Sequence, residues 1–425
     1  MMTRFRHTGR YAGLRRLVFW RFGPLYVLLF SLLLALAGPT AYPGDLEYWQ
    51  KWSVHIFRRG LSNAYELPGL DYNPLYHYFL WAFGQLAGSE AAIQSHVHGL
   101  KVFTLLFDFA GAVLAASFLR GAWQRFVGSL WLLLNVGYLY NTLIWQQVDA
   151  IYTTLVFAAV VLALRRHGAA SLVAYVLALN AKLQAIVFLP PLLLLWLPLW
   201  RQAGRQLALG LAAATVVQLL LLAPFVWGGE RSYLGHIIGI NTSAVSVYPY
   251  VTVNTFNLWV LLMPDAVLWV PDTLVKLGLR YRTWGLLAFG AASAAVLLPL
   301  LALAWQRWRT RRPFAATDAR QVLLVCGLIP LVFCYFNTEM HERYWHPAVL
   351  FLGAYALCTR RWLPYALVSV GYALNLHAVF NSYHEPSWLL RHPRPVALLF
   401  TAALGMGAYY LYLEVRRQWG RLPQG

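Results

Sequence analysis

The sequence predicts an all-α polytopic membrane protein: about twelve transmembrane helices, within a range of roughly ten to fourteen, plus interfacial or re-entrant helices on the outer face. Two observations carry this. The 425 residues are 60% hydrophobic and only 12% charged, with a mean hydropathy of +0.54, whereas a soluble domain carries about 25% charged residues. Apolar runs close to the ~20 residues that cross a bilayer as a helix recur from end to end. Residues 1–425 are expected to form a single integral membrane domain, with no linker, low-complexity tract or soluble appendage.

Residues 1–21 hold Arg4, Arg6, Arg10, Arg15, Arg16 and Arg21 and no acid. The positive-inside bias makes them a cytoplasmic basic N-terminus. The apolar run 22–38 is expected to be a retained anchor, not a cleaved signal, and 39–100 the first extracytoplasmic loop with its interfacial helices. Further crossings are expected near 101–119, 126–141, 149–164, 169–181, 184–200, 206–227, 284–305, 321–336, 346–358, 363–380 and 396–414. Arg120 with Arg125, Arg165-Arg166, Arg201 with Arg205, the group from Arg307 to Arg320, Arg360-Arg361, and Arg416, Arg417 and Arg421 all follow long apolar runs. Placing these clusters inside makes both termini cytoplasmic and leaves Asp318 and Glu414 as the only cytoplasmic acids. The apolar stretches 74–88 and 255–270 would break this alternation by crossing, so they are expected to lie at the outer side, where non-spanning backbone must line protein or a cavity. The net charge of +19 belongs to this boundary pattern and does not indicate nucleic-acid binding. Cys326, Cys334 and Cys358 all lie in apolar runs and are expected in the core.

With this topology the unusual polar groups gather on the outer side. They are Asp45-Leu46-Glu47, Asp71-Tyr72-Asn73-Pro74, Trp145 to Asp149, Asn180 to Gln184, Asn254 to Trp259, and Asn337 to Tyr344 with its His341-Glu342-Arg343 core. Ionisable groups at a membrane boundary are expensive unless used. Transporters place theirs near the midplane, so crowding at one face favours interfacial chemistry over passage through the bilayer. Asp45 and Glu47, at i and i+2, point to one side in an extended loop and to opposed sides in a helix; one could serve as a general base beside an acceptor hydroxyl. Asp149 opens an apolar helix, as an N-cap or as a substrate contact. Lys182 either snorkels to the interface or neutralises a phosphate. Asn73-Pro74 is compatible with simple turn chemistry, and Asn254 and Asn257 with capping. Asp108 is mid-span and requires a partner that the sequence does not name. The loop 381–394, with His384, Glu385, Arg391, His392 and Arg394, is expected to be outer surface.

Six of these features, taken in order, resemble the GT-C superfamily of integral-membrane glycosyltransferases, with the nearest similarity to bacterial relatives of the mannosyltransferases of the glycosylphosphatidylinositol pathway. They are the acidic Asp45-Leu46-Glu47, Tyr72-Asn73-Pro74-Leu75-Tyr76, Trp145-Gln146-Gln147-Val148-Asp149, Lys182-Leu183-Gln184, Asn254 to Trp259, and His341 to Tyr344. The chain departs from the family in Asp-x-Glu for Asp-x-Asp, Tyr-Asn-Pro for Tyr-Pro-Pro and Trp-Gln-Gln for Trp-Gly-Gln. The resemblance implies a GT-C-like fold and transfer of a hexose, mannose first, from a polyprenyl-phosphate-linked donor to a hydroxyl of a glycan, lipid or protein acceptor. Transfer would occur on the extracytoplasmic face of a bacterial plasma membrane, with inversion at the anomeric carbon. It implies Asp45 as base with Glu47 orienting it or the acceptor. His341, Arg343 and Lys182 would face the leaving phosphate, where positive groups stabilise charge that grows in the transition state. Gln147, Asp149, Gln184, Asn254, Asn257, Tyr72 and Glu342 are the expected sugar, acceptor or supporting contacts. No cofactor is expected to be required; Asp-x-Glu without a clear third ligand does not argue for a committed metal site. The competing classes are a transporter or flippase of a lipid-linked glycan, an O-antigen-ligase or oligosaccharyltransferase type, against which the short outer loops argue, and a non-catalytic assembly subunit.

Overall fold

The computed structural model describes residues 8–243, 248–263, 269–382 and 387–419, with side chains from residue 21 to 418. His384 and Glu385 lie outside the described residues. The helices are α1 (Thr8–Ala37), α2 (Pro43–Arg59), α3 (Pro74–Ala87), α4 (Glu90–Ser95), α5 (Leu100–Ala116), α6 (Ala122–Leu133) and α7 (Val136–Leu139). There follow α8 (Asp149–Leu164), α9 (Gly168–Ala181), α10 (Leu189–Trp227), α11 (Leu234–Ser243), α12 (Leu258–Leu262) and α13 (Tyr281–Thr310). The last are α14 (Asp318–Phe336), α15 (His346–Thr359), α16 (Leu363–Asn381), α17 (Trp388–Arg391) and α18 (Arg394–Trp419). A two-residue hairpin, Val275–Lys276 with Leu279–Arg280, is the only sheet among the described residues.

Six helices among the described residues are long and apolar enough to cross a membrane, or seven if α6 and the segment Val136–Ile144, bent by 66°, count as one span. Arg21–Ala37, α8 and α9 are shorter apolar helices. Each expected crossing falls on a helix, although length and apolarity alone do not reach the expected twelve. The 39-residue α10 absorbs two of the expected crossings; its backbone leaves helical geometry at Ala203, between them. The stretch expected to lie at the outer side over 74–88 is α3, whose Pro74 occupies the first turn, where its missing N–H costs nothing. Of the other, 255–270, the described part holds only the five-residue α12.

Burial separates centre from periphery. The apolar window of α14 is 83% buried, against 17% for those of α10 and α13. Leu209, Leu211, Leu219, Leu220, Leu286 and Leu298 on these outer helices are exposed, a surface that water would penalise and lipid would not. At the centre α14 and α15 approach closely at Gly327, where a Cβ would stand 2.8 Å from Leu352 Cδ2; small residues permit such approach in the absence of a hydrophobic drive between membrane helices.

The arginine clusters collect at one end. Arg165 bonds Ser117 Oγ at 2.5 Å, Arg201 bonds the Trp308 carbonyl at 3.1 Å, Gln202 bonds the Arg312 carbonyl at 2.9 Å, and Arg361 pairs with Glu414 at 3.0 Å. The polar islands collect at the other end, reached by α1, α9 and α14 at their C-termini and left by α8 and α15 at their N-termini. Cys326 and Cys334 are buried and Cys358 half-buried, all as free thiols. A topology reporter inserted in 311–317 should read cytoplasmic and one in 228–233 extracytoplasmic; the opposite pattern would invert the sidedness of both ends.

Candidate active site

The site is built on two chain breaks. The helix begun by α6 and α7 ends in a π-turn, Tyr140–Ile144, and Gln146 then takes a left-handed conformation with φ 66°. π-turns recur at functional sites because they re-aim side chains. The turn is pinned to the first outer segment: Tyr42 N–H donates to the Trp145 carbonyl, Trp49 Nε1 to the Gln146 carbonyl, each at 3.0 Å, and Gln146 Nε2 to the Val97 carbonyl at 2.9 Å. The second break follows α14, where His341, in extended conformation, leads into a short 3₁₀ turn, Glu342–Trp345. That turn is tied down by Val253 N–H donating to the Met340 carbonyl at 2.9 Å and by Tyr372 Oη donating to the Arg343 carbonyl at 3.3 Å.

Asp45 and Arg343 meet where these two breaks face each other. Asp45 sits in the first turn of α2. Its Oδ2 accepts a 2.6 Å hydrogen bond from Trp145 Nε1 and lies 3.7 Å from Arg343 Nη1. The same Nη1 is 3.1 Å from Glu342 Oε1, and the guanidinium stands 5.7 Å from the Trp145 ring centre. Burial alone would push the Arg343 pKa down; Asp45 and Glu342 outweigh it and hold the guanidinium firmly charged. Burial pushes the Glu342 carboxyl up to about 7, against the pull of Arg343. Arg343 Nε is buried without a hydrogen-bond partner, so its planar fork retains donor capacity of the kind phosphate oxygens accept.

A second ion pair lies beside the first. Asp149, fully buried at the start of α8, receives Lys182 Nζ at 2.5 Å on one oxygen and Asn141 Nδ2 at 3.1 Å on the other. Lys182 leaves α9 in an extended conformation, which turns its chain inward, and its ammonium sits 5.8 Å and 5.6 Å from the ring centres of Tyr72 and Tyr344. Tyr72 Oη donates to Gln147 Oε1 at 3.3 Å. Gln184 stands beside Tyr344, its carbonyl oxygen buried without a hydrogen-bond partner. His341 packs edge-on against Tyr248 and against Tyr344, at 5.0 and 5.3 Å between ring centres. Burial, followed by the positive Arg343 and Lys182, pushes its pKa well down, so the ring is a neutral imidazole with one N–H to donate. Asp71 lies at the rim, in reach of the charges of Lys182, Asp45 and Arg343; surrounding protein raises its carboxyl above the usual range although its surface is solvent-exposed.

The structure thus brings together Asp45, Arg343, Glu342, Lys182, Asp149, Tyr72, Gln147 and Gln184, with His341 alongside. It does not bring in three of the expected residues. Glu47 is exposed on the far side of α2, because the acidic motif is helical and i, i+2 side chains of a helix diverge. It lines a separate outer cavity with Lys51, His55 and Arg58. Asn257 spends its side chain on structure: its Oδ1 caps α12 at Trp259 N–H, and its Nδ2 donates to the Cys334 and Asn337 carbonyls. Asn254 contributes backbone: φ is 66°, and its carbonyl accepts from Asn375 Nδ2 at 2.8 Å. Asn141, Trp145 and Asp71 are site residues to which sequence reasoning gave no role. Trp145 and Asp71 lie inside quoted motifs, whereas Asn141 ends an apolar run with nothing to mark it. His346 stands near mid-span Asp108, its Nε2 3.8 Å from Oδ1 and beyond hydrogen-bonding distance, and neither carboxyl oxygen has a hydrogen-bond partner among the described residues. No group of three or more His, Cys, Asp or Glu side chains converges as a metal site among the described residues. The charged groups of the cluster are closed on one another.

Fold and site together define a polytopic membrane protein with a buried cluster of carboxylates and cations at one end. The family model described as "ALG3 protein" matches residues 79–254, less than half of the chain. That family comprises membrane mannosyltransferases drawing on a lipid-linked donor, and the match supports this class of activity, without extending to the glycosylphosphatidylinositol-pathway kinship. The matched segment contains Gln147, Asp149, Lys182, Gln184 and Asn254, but neither Asp45 nor His341–Arg343. No curated protein matches the chain.

Breaking a buried ion pair by removing one partner costs about 3–5 kcal/mol, because the other charge is left uncompensated. Lys182→Met should therefore lower the thermal midpoint in detergent markedly, and the double variant Lys182→Met/Asp149→Leu should recover much of the loss. A double variant no better than the single one would show that the pair does not act as a unit.

Proposed function

We propose that the protein transfers a hexose, mannose first, from a polyprenyl-phosphate-linked donor to a hydroxyl of a glycan, lipid or protein acceptor, with inversion. The reaction would take place at the extracytoplasmic face of a bacterial plasma membrane. The observation that carries the proposal is the contact of Asp45 with Arg343, a candidate base against a candidate phosphate clamp, at the end of the bundle opposite the arginine clusters. The family match supports the sugar class.

In the proposed step Asp45 takes the acceptor hydroxyl proton while that oxygen forms a bond to the anomeric carbon. The bond from that carbon to the phosphate oxygen breaks, and its electron pair leaves with the phosphate. Arg343 and Lys182 bind the phosphate and oppose its growing charge, and His341 donates its single N–H to a phosphate oxygen. Glu342 holds the guanidinium in orientation. Tyr72, Gln147 and Gln184 line the sugar and acceptor side, and Asp149 keeps Lys182 in place. The positive groups facing the leaving phosphate are Arg343 and Lys182, and the step is drawn without a metal ion.

The closed ion pair also orders the events. While Arg343 and the Trp145 indole hold Asp45, its Oδ2 is engaged. An arriving phosphate that competes for the guanidinium would release the carboxylate toward the acceptor hydroxyl.

Protein in nanodiscs, supplied with a radiolabelled polyprenyl-phosphate mannose and a pool of hydroxyl acceptors, should form labelled product. Asp45→Asn should lower turnover by about 10²–10⁴-fold while donor binding persists. Movement of intact donor lipid across vesicles without transfer would favour a flippase, and wild-type turnover by the variant would remove Asp45 from the chemistry.

A further inference from the structure

The end of the bundle remote from the candidate active site carries a cavity of about 520 Å³ between the C-terminal ends of α13 and α18 and the N-terminus of α14. This lies within the ~300–1,000 Å³ of ordinary ligand pockets. Its charged lining comprises Arg307, Arg320 and Arg417 with Asp318 and Glu414. Both acids are already neutralised. Asp318 holds Arg307 in a two-pronged contact, 2.9 Å for each bond, and also accepts the Ala315 N–H at 2.7 Å. One oxygen of Glu414 serves two guanidiniums, Arg361 at 3.0 Å and Arg417 at 3.6 Å. Arg320, half-buried in the wall, makes no hydrogen bond or ion pair among the described residues. The cavity wall therefore carries three guanidiniums against two carboxylates, Arg361 adds a fourth through Glu414, and Arg309, Arg311, Arg312 and Arg416, near these residues in sequence, are exposed.

Surplus positive charge of this kind is costly at a membrane boundary unless an anion meets it. Position decides which anion. The cavity lies at the ends of helices whose outer sides expose Leu298, Leu301 and Tyr412, a lipid-facing surface. The headgroups of the adjoining leaflet are therefore always present at high local concentration, and basic pockets between helix ends suit acidic headgroups. We propose that this cavity binds the phosphate headgroup of an anionic phospholipid, with Arg320 and Arg417 as its principal contacts. The bound lipid joins α13, α14 and α18 at their ends; α14 leads at its far end into the loop that carries Arg343. The site is distinct from the proposed donor site, and its occupancy does not depend on the reaction.

Native mass spectrometry of the purified full chain, equilibrated with phosphatidylglycerol or phosphatidylcholine of matched acyl chains, tests this. The wild type should retain phosphatidylglycerol preferentially. Arg320→Gln and Arg417→Gln should each reduce that preference about fivefold, as expected for roughly 1 kcal/mol per arginine. Arg205→Gln, an exposed arginine on the same face, should not reduce it. Equal retention of both lipids by the wild type, or unchanged preference in the double variant, overturns the proposal. Equal protection against thermal unfolding by inorganic phosphate would also overturn it, assigning the cavity to a free anion. If the double variant is not monodisperse, Arg320→Gln alone, which breaks no ion pair among the described residues, decides between the same outcomes.

Discussion

Charge carried into the end of this bundle has to be met there, and Arg343 meets two of its carboxylates at once. Its guanidinium stands between Asp45 and Glu342 and over the Trp145 ring, so it joins the first outer helix, the π-turn and the late 3₁₀ turn. These three segments lie about 100 to 300 residues apart in sequence, to judge from the separations of Asp45, Trp145 and Arg343. Beside it Lys182 and Asp149 form a second pair that joins α8 and α9. Since an isolated ion in a low-dielectric setting is prohibitive, the two pairs fix the relative placement of segments that apolar packing alone would leave free to slide. The same two cations are the groups a phosphate would engage, so the constraint that organises this end of the fold also supplies its proposed chemistry.

The parts of the fold legible in the sequence were those written in long apolar runs. Every expected crossing fell on a helix because lipid leaves the backbone little choice but intrahelical hydrogen bonding. The kink of α10 at Ala203 fell between two expected crossings, beside Arg201 and Arg205, whose charges mark a helix end. The gathering of arginine clusters at one end also followed, since a charge at a helix terminus has one cheap destination. Asp318 and Glu414, the two acids placed among those arginines by sequence, each pair with them.

What could not be read was side-chain direction. Asp45 and Glu47 looked equivalent as a motif, yet once Pro43 starts a helix just before them they diverge, and only Asp45 faces Arg343. Asn257 was compatible with capping and, through the resemblance, with a substrate contact; its side chain caps α12 and also clamps the Cys334 and Asn337 carbonyls, which a three-residue spacing could not show. Asn141 gave no signal, since its importance rests on Asp149 eight residues later, brought near by a π-turn that no local pattern announced. Asp108 was recognisable as needing a partner; the packing of α5 against α15 brings His346 near it, 3.8 Å away and short of a hydrogen bond. The family match adds support from an independent side, but it ends before the His341–Arg343 turn and begins after Asp45. The pairing of those residues therefore rests on geometry.

A structure determined with a non-hydrolysable phosphonate analogue of polyprenyl-phosphate mannose tests the central claim most directly. The expected result is phosphonate oxygens within hydrogen-bonding distance of Arg343 and Lys182, with the Asp45 carboxylate released from the guanidinium and facing the anomeric carbon. A phosphonate bound elsewhere, with the contact between Asp45 and Arg343 intact, would contradict it.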